Sequence, residues 1–65
     1  GLYKMGKGIY AARAITAGHT IGLGDLCIKS PADGLSPAEW WNVIGVVAKR
    51  DVGVDEAITR EVIDG

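Results

Sequence analysis

Ten glycines are spread along the whole of this 65-residue chain. Each would cost about 1 kcal/mol inside a helix, whereas short strands joined by tight turns use glycine where φ is positive. The distribution predicts a mainly β fold. "GIYAARAI" (Gly8 to Ile15) and "IGVVAKRDV" (Ile44 to Val52) read as two strands and "DLCIK" (Asp25 to Lys29) as a third. "TAGHT", "GLGD" and "SPADG" between them are rich in turn formers and too short to be linkers. Residues 1–65 therefore read as a single domain, with 1–8 as a flexible lead-in.

The apolar fraction of 48% is ample for a core. A domain this short nevertheless buries only about 60% of the surface its unfolded chain exposes, so a partner domain or subunit would add to its stability. The chain starts at Gly1 rather than at methionine, and its first residues read like the interior of a protein. We expect an excised domain of a longer parent.

The formal net charge of −1, with mixed signs throughout, offers no basic block, no interleaving of aromatic and basic residues and no long apolar run. Nucleic-acid and membrane partners lose their physical support. Cys27 is the single cysteine, which rules out an intramolecular disulfide framework or a multi-cysteine zinc site and fits a reducing cytoplasm. It reads as a small buried hydrophobe.

Sliding the sequence by 37 residues sets Ala11-Ala12-Arg13-Ala14-Ile15 over Ala48-Lys49-Arg50-Asp51-Val52, Ile21 over Ile58 and Leu26 over Ile63. Apolar matches kept in register predict two similar units of strand, turn and helical turn around one core, related by a pseudo-twofold.

The clearest helical signal is "GLSPAEWWNVIG", Gly34 to Gly45. Ser36 can cap it, Pro37 falls where a missing N–H is harmless, Glu39 stands where a capping box needs it, and Gly45 can end it. Trp40 is placed to staple against Leu35 and shares a face with Ile44. Trp41, about 100° further round, faces Pro37 and Ala38, a side too small to cover an indole. It is expected to be partly exposed and to pack against a partner.

The stretch "IYAARAITAGHTIGLGDLCIKSPADGLSPAEWWNVIGVVAKRDVGVDEAIT" resembles the C-terminal SAF domain of N-acetylneuraminate (sialic acid) synthases and their pseudaminic and legionaminic acid relatives, a domain also similar to type III antifreeze protein. "AARAITAG" and "IGLGDL" are shared by many SAF domains, including flagellar and pilus assembly proteins. "IKSPADGLSP" is more specific to the synthases. The resemblance implies a β-clip fold with short strands and single helical turns. It also implies a cytoplasmic homodimeric parent, whose N-terminal TIM barrel condenses phosphoenolpyruvate with N-acetylmannosamine or a related sugar. A divalent metal such as Mn2+ or Mg2+ is expected in that barrel and no cofactor in this domain. The domain would cap the barrel of the partner subunit and lend a basic side chain to the amino-sugar substrate. Lys7 stands where the family has an arginine, Gly8 where a serine is usual, and Ser30 where an arginine is frequent. A lysine keeps the charge and loses the planar fork.

Other polar residues read as structural. His19 lies in a glycine-containing turn without an evident nucleophile beside it and is expected to face solvent. Asp51, Asp55, Glu56 and Glu61, dispersed among Lys49, Arg50 and Arg60, read as a solvated mixed face. Arg13, Arg50 and Lys29 are expected to pack their stems on the surface, with their heads near turn carbonyls or carboxylates. "GKG" at 6–8 lacks the longer phosphate-loop pattern. Two other functions fit the resemblance: an interaction module of a flagellar or pilus assembly protein, and an ice-binding domain. Arg13, His19 and Asp25 would disturb the flat apolar plane that ice binding requires.

Overall fold

A computed structural model of the chain describes residues 6–64. Its one regular sheet has two antiparallel strands, β1 (Gly8–Ala11) and β2 (Leu26–Lys29), in the register Gly8 to Lys29, Ile9 to Ile28, Tyr10 to Cys27 and Ala11 to Leu26. Every residue of β1 is buried. The reason is its second edge, where Ala11 N–H donates to Glu56 O at 2.9 Å and Ile58 N–H donates to Ile9 O at 2.9 Å. β1 thus runs through the middle of the domain. Of the lead-in expected over residues 1–8, residues 1–5 lie outside the described part, and Gly8 belongs to β1.

The 37-residue repeat is written in the hydrogen bonds. Ile15 and Val52, repeat mates, exchange both of their backbone bonds at 2.8 Å. The bridge Tyr10 to Ala57 becomes the bridge Val47 to Thr20 under the same shift. Ala11 N–H to Glu56 O has its counterpart in Ala48 N–H to His19 O, both 2.9 Å. Ala12 N–H to Asp25 O, 2.8 Å, is matched by Lys49 N–H to Val62 O, 2.7 Å. Two interlocked halves therefore share a pseudo-twofold axis near the Ile15–Val52 pair. The repeat's apolar positions form the core: Ala11 and Ala48, Ile15 and Val52, Ile21 and Ile58, Leu26 and Ile63 are all buried.

Two expected strands are shorter than their sequences suggest. The segment 44–52 forms no continuous strand, only isolated bridges at Val47 and Val52. Its partners change along its length, from Ile21 and His19 to Val62 and then Ile15, so no single neighbour sustains a ladder. The segment 8–15 stops being a strand at Ala11 for the same reason: Ala12 turns to Asp25 and Ile15 to Val52. Cys27 is half-buried rather than fully enclosed, because β2 has only one strand beside it.

The helical segment begins as expected and ends early. Ser36 Oγ accepts from Ala38 N–H at 3.1 Å, Pro37 opens a 3-10 turn (Pro37–Glu39), and α1 (Trp40–Val43) follows. Glu39 does not close a capping box, since its carboxylate accepts from Asn42 Nδ2 at 3.3 Å and approaches Arg60 at 3.7 Å. Gly45, with φ 88°, reverses the chain after Ile44. Leu35 is buried in the core and Trp40 packs half-buried against it. A second 3-10 turn (Leu23–Asp25) and α2 (Arg60–Asp64) occupy repeat-related places and supply the helical turns of the two units. Among the described residues no helix is long and apolar enough to cross a membrane.

Candidate functional site

The open end of the β1–β2 hairpin brings Lys7, the basic residue singled out in the sequence, beside the segment that follows β2. Gly8 pairs with Lys29 at the end of the ladder, and just beyond it Lys7 Nζ donates to Ser30 Oγ at 3.3 Å. Both residues are exposed. Beyond Ser30 the chain folds back over β1. Tyr10 hydroxyl donates to Pro31 O at 2.8 Å, and Asp33 N–H donates to the same oxygen at 2.9 Å. The Ser30–Pro31 peptide is cis. The loop lies so close to Gly8 that a Cβ there would collide with the Asp33 carbonyl oxygen. Glycine in place of the serine usual in the resemblance is what this approach requires.

Lys29, the β2 partner of Gly8, has its Nζ 2.7 Å from Asp55 Oδ1 and 5.1 Å from the centre of the Tyr10 ring. The hydrogen bond to Asp55 holds the Lys29 ammonium above its ordinary pKa. Lys29 therefore has the carboxylate partner expected of a structural residue.

A second cluster lies at the 3-10 turn Leu23–Asp25. Asp25 is the only buried charged side chain among the described residues. Its Oδ2 accepts from Gly22 N–H at 2.8 Å and from His19 Nε2 at 2.7 Å, while Arg13 Nε stands 3.6 Å from Oδ1. The Gly22 amide first, and then His19, hold the carboxyl below its ordinary pKa. His19 is in a turn and half exposed, as expected, but it has a partner that the sequence reading did not assign. The available signal was Gly22-x-x-Asp25, an acid placed to reach back to the amide three residues before it.

Other charged side chains make ion pairs or accept from turn amides at the surface. Arg50 lies 2.9 Å from Glu61, so both repeat-related arginines, Arg13 and Arg50, meet an acid on the helical turn of their own half. Glu56 accepts from Gly53 N–H at 2.7 Å, and Asp51 accepts from Ala17 N–H at 2.8 Å. These contacts match a solvated mixed face whose acids also pin turns. No group of three or more His, Cys, Asp or Glu among the described residues is arranged to hold a metal ion. Trp41 is 73% exposed, the most exposed large apolar side chain described.

The sequence profile of the SAF domain matches residues 6–62, nearly the whole chain. The chain belongs to the SAF-domain family. No curated protein matches it in sequence. In this SAF domain the matched region includes both halves of the pseudo-twofold and both polar clusters. Lys7 and Ser30, 23 residues apart in sequence, meet at one end of the domain, while Trp41 stands apart on α1.

Proposed function

We propose that this SAF domain is the C-terminal part of a sialic acid synthase-like enzyme, where it caps the partner subunit's active site and helps bind the sugar. The observation that carries the reading is the meeting of Lys7, at the start of β1, with the segment "KSPADG", Lys29 to Gly34, the stretch most specific to the synthase resemblance. The exposed Lys7 ammonium is the substrate contact in this reading. Barrel residues outside this chain supply the metal and the phosphoenolpyruvate site, and the condensation of the two substrates happens there. The cap excludes water and restricts the orientation of the acyl-amino sugar, which lowers the entropic part of the barrier. Trp41, with an indole left in solvent, is the natural place for the barrel or the dimer partner to pack.

Replacing Lys7 by Ala in the parent enzyme tests the reading. Loss of one charge-assisted hydrogen bond should raise the KM for the sugar by about tenfold to a hundredfold, with a smaller change in kcat. Unchanged kinetics remove Lys7 from the site. The clustering of Arg13, His19 and Asp25 in one charged group counts against an ice-binding face. A signal peptide encoded upstream, in place of a barrel, would favour the assembly-protein reading instead.

A further inference from the structure

The Lys7–Ser30 contact lies just past the end of the β1–β2 ladder. Gly8 and Lys29 are the last pair of the antiparallel ladder, so residues 7 and 30 each stand one step beyond it on neighbouring strands, within side-chain reach of each other. The two sides of the contact are held unequally. Ser30 leads into Pro31, whose carbonyl oxygen accepts from the buried Tyr10 and from Asp33 N–H. Lys7 is an exposed residue that follows Gly6, where φ is 92°. A lysine ammonium is a point charge on a flexible stem and has no preferred plane of its own.

We propose that Ser30 is a positioning residue for Lys7. Its hydroxyl oxygen accepts one ammonium hydrogen at 3.3 Å. Of the three donors of an ammonium, two then remain for the substrate. An ammonium has donors and no acceptor, so the group Lys7 takes is an acceptor: the hydroxyl, carboxylate or amide-carbonyl oxygens of a substrate. The proposal rests on the reading of Lys7 as the sugar contact, and it explains how a lysine without a planar fork keeps a direction there.

The test has two arms. In the 65-residue chain, 15N NMR of the Lys7 ammonium should show a shifted resonance and a more mobile side chain in Ser30→Ala, with both restored in Ser30→Thr. Backbone amide resonances of β1 and β2 should stay in place. If alanine disturbs the loop, Ser30→Cys keeps the size with a weaker acceptor and should give an intermediate shift. In the parent enzyme, with N-acetylmannosamine as the probe, Ser30→Ala should raise KM by about two- to fivefold at unchanged kcat and add nothing to Lys7→Ala. A Lys7 resonance indifferent to Ser30→Ala overturns the positioning role, even if Lys7→Ala raises KM and the sugar reading stands. A resonance that responds, with KM unchanged in Lys7→Ala, supports the positioning role while the sugar reading fails.

Discussion

At the scale of single residues, Asp25 is where the acid stability of the domain concentrates. Its carboxylate is buried and takes hydrogen bonds from Gly22 N–H and His19, so the folded state favours the ionised form and holds the pKa below the ordinary 3.8. A group whose folded pKa is lowered contributes stability fully above its unfolded value, and loses that contribution as pH falls through the folded one. The denaturation midpoint in urea should therefore fall below about pH 4, and Asp25→Asn should remove that part of the acid dependence. At neutral pH the same variant should be less stable by about 1–3 kcal/mol, because an amide offers Arg13 and His19 a weaker acceptor. An acid limb unchanged in Asp25→Asn would assign it to other carboxylates. Sequence alone placed His19 and Asp25 in a turn and at the head of a strand. What it lacked was the fold of the loop between them, which brings the imidazole back over Leu23–Asp25.

At the scale of elements, the order of strands, turns and helical turn was legible, and the lengths were not. Ser36 and Pro37 start the helical segment by local chemistry, which a sequence carries in full. The segment 44–52 is apolar enough for a strand, yet strand length depends on a neighbour that runs beside it, and here the neighbour changes within a few residues. Gly8 shows the same dependence at closer range. Nothing local requires glycine at that place, but the returning Asp33 carbonyl leaves no room for a Cβ. Gly8→Ser, the residue the family resemblance would suggest, should displace the 31–34 loop and lower stability by about 1–3 kcal/mol. Amide hydrogen exchange would register it as faster exchange at Asp33 N–H, which donates to Pro31 O. Unaltered exchange and stability would mean that the loop absorbs a side chain there without strain. Ser36→Ala offers a control at the opposite end of the scale, with the loss of one cap bond and about 1 kcal/mol.

At the scale of the whole molecule, the pseudo-twofold organises most of the core, and Leu35 and Val43 join it from the segment 34–45. Positions that repeat after 37 residues are buried in pairs around the Ile15–Val52 axis, and this is why an apolar register in the sequence was enough to anticipate two similar halves. The helical segment 37–43 carries both tryptophans. Trp40 still reaches the core from it, and Trp41, one position on, points away at 73% exposure. An indole in water contributes little to folding, so Trp41→Ala should change the stability of this chain by no more than about 0.5 kcal/mol. Trp40→Phe, which leaves Trp41 as the one tryptophan, should emit at a solvent-exposed wavelength under tryptophan-selective excitation and be quenched readily by iodide. In the parent enzyme proposed above, the same fluorophore should shift to the blue and become shielded, and Trp41→Ala should weaken the dimer or loosen the cap, since buried tryptophans carry a large share of interface energy. Shielding in the isolated chain would show that the core already covers this side chain. Exposure in both forms would show instead that the partner meets the domain elsewhere, leaving the hairpin end at Lys7 and Ser30 as the surface to search.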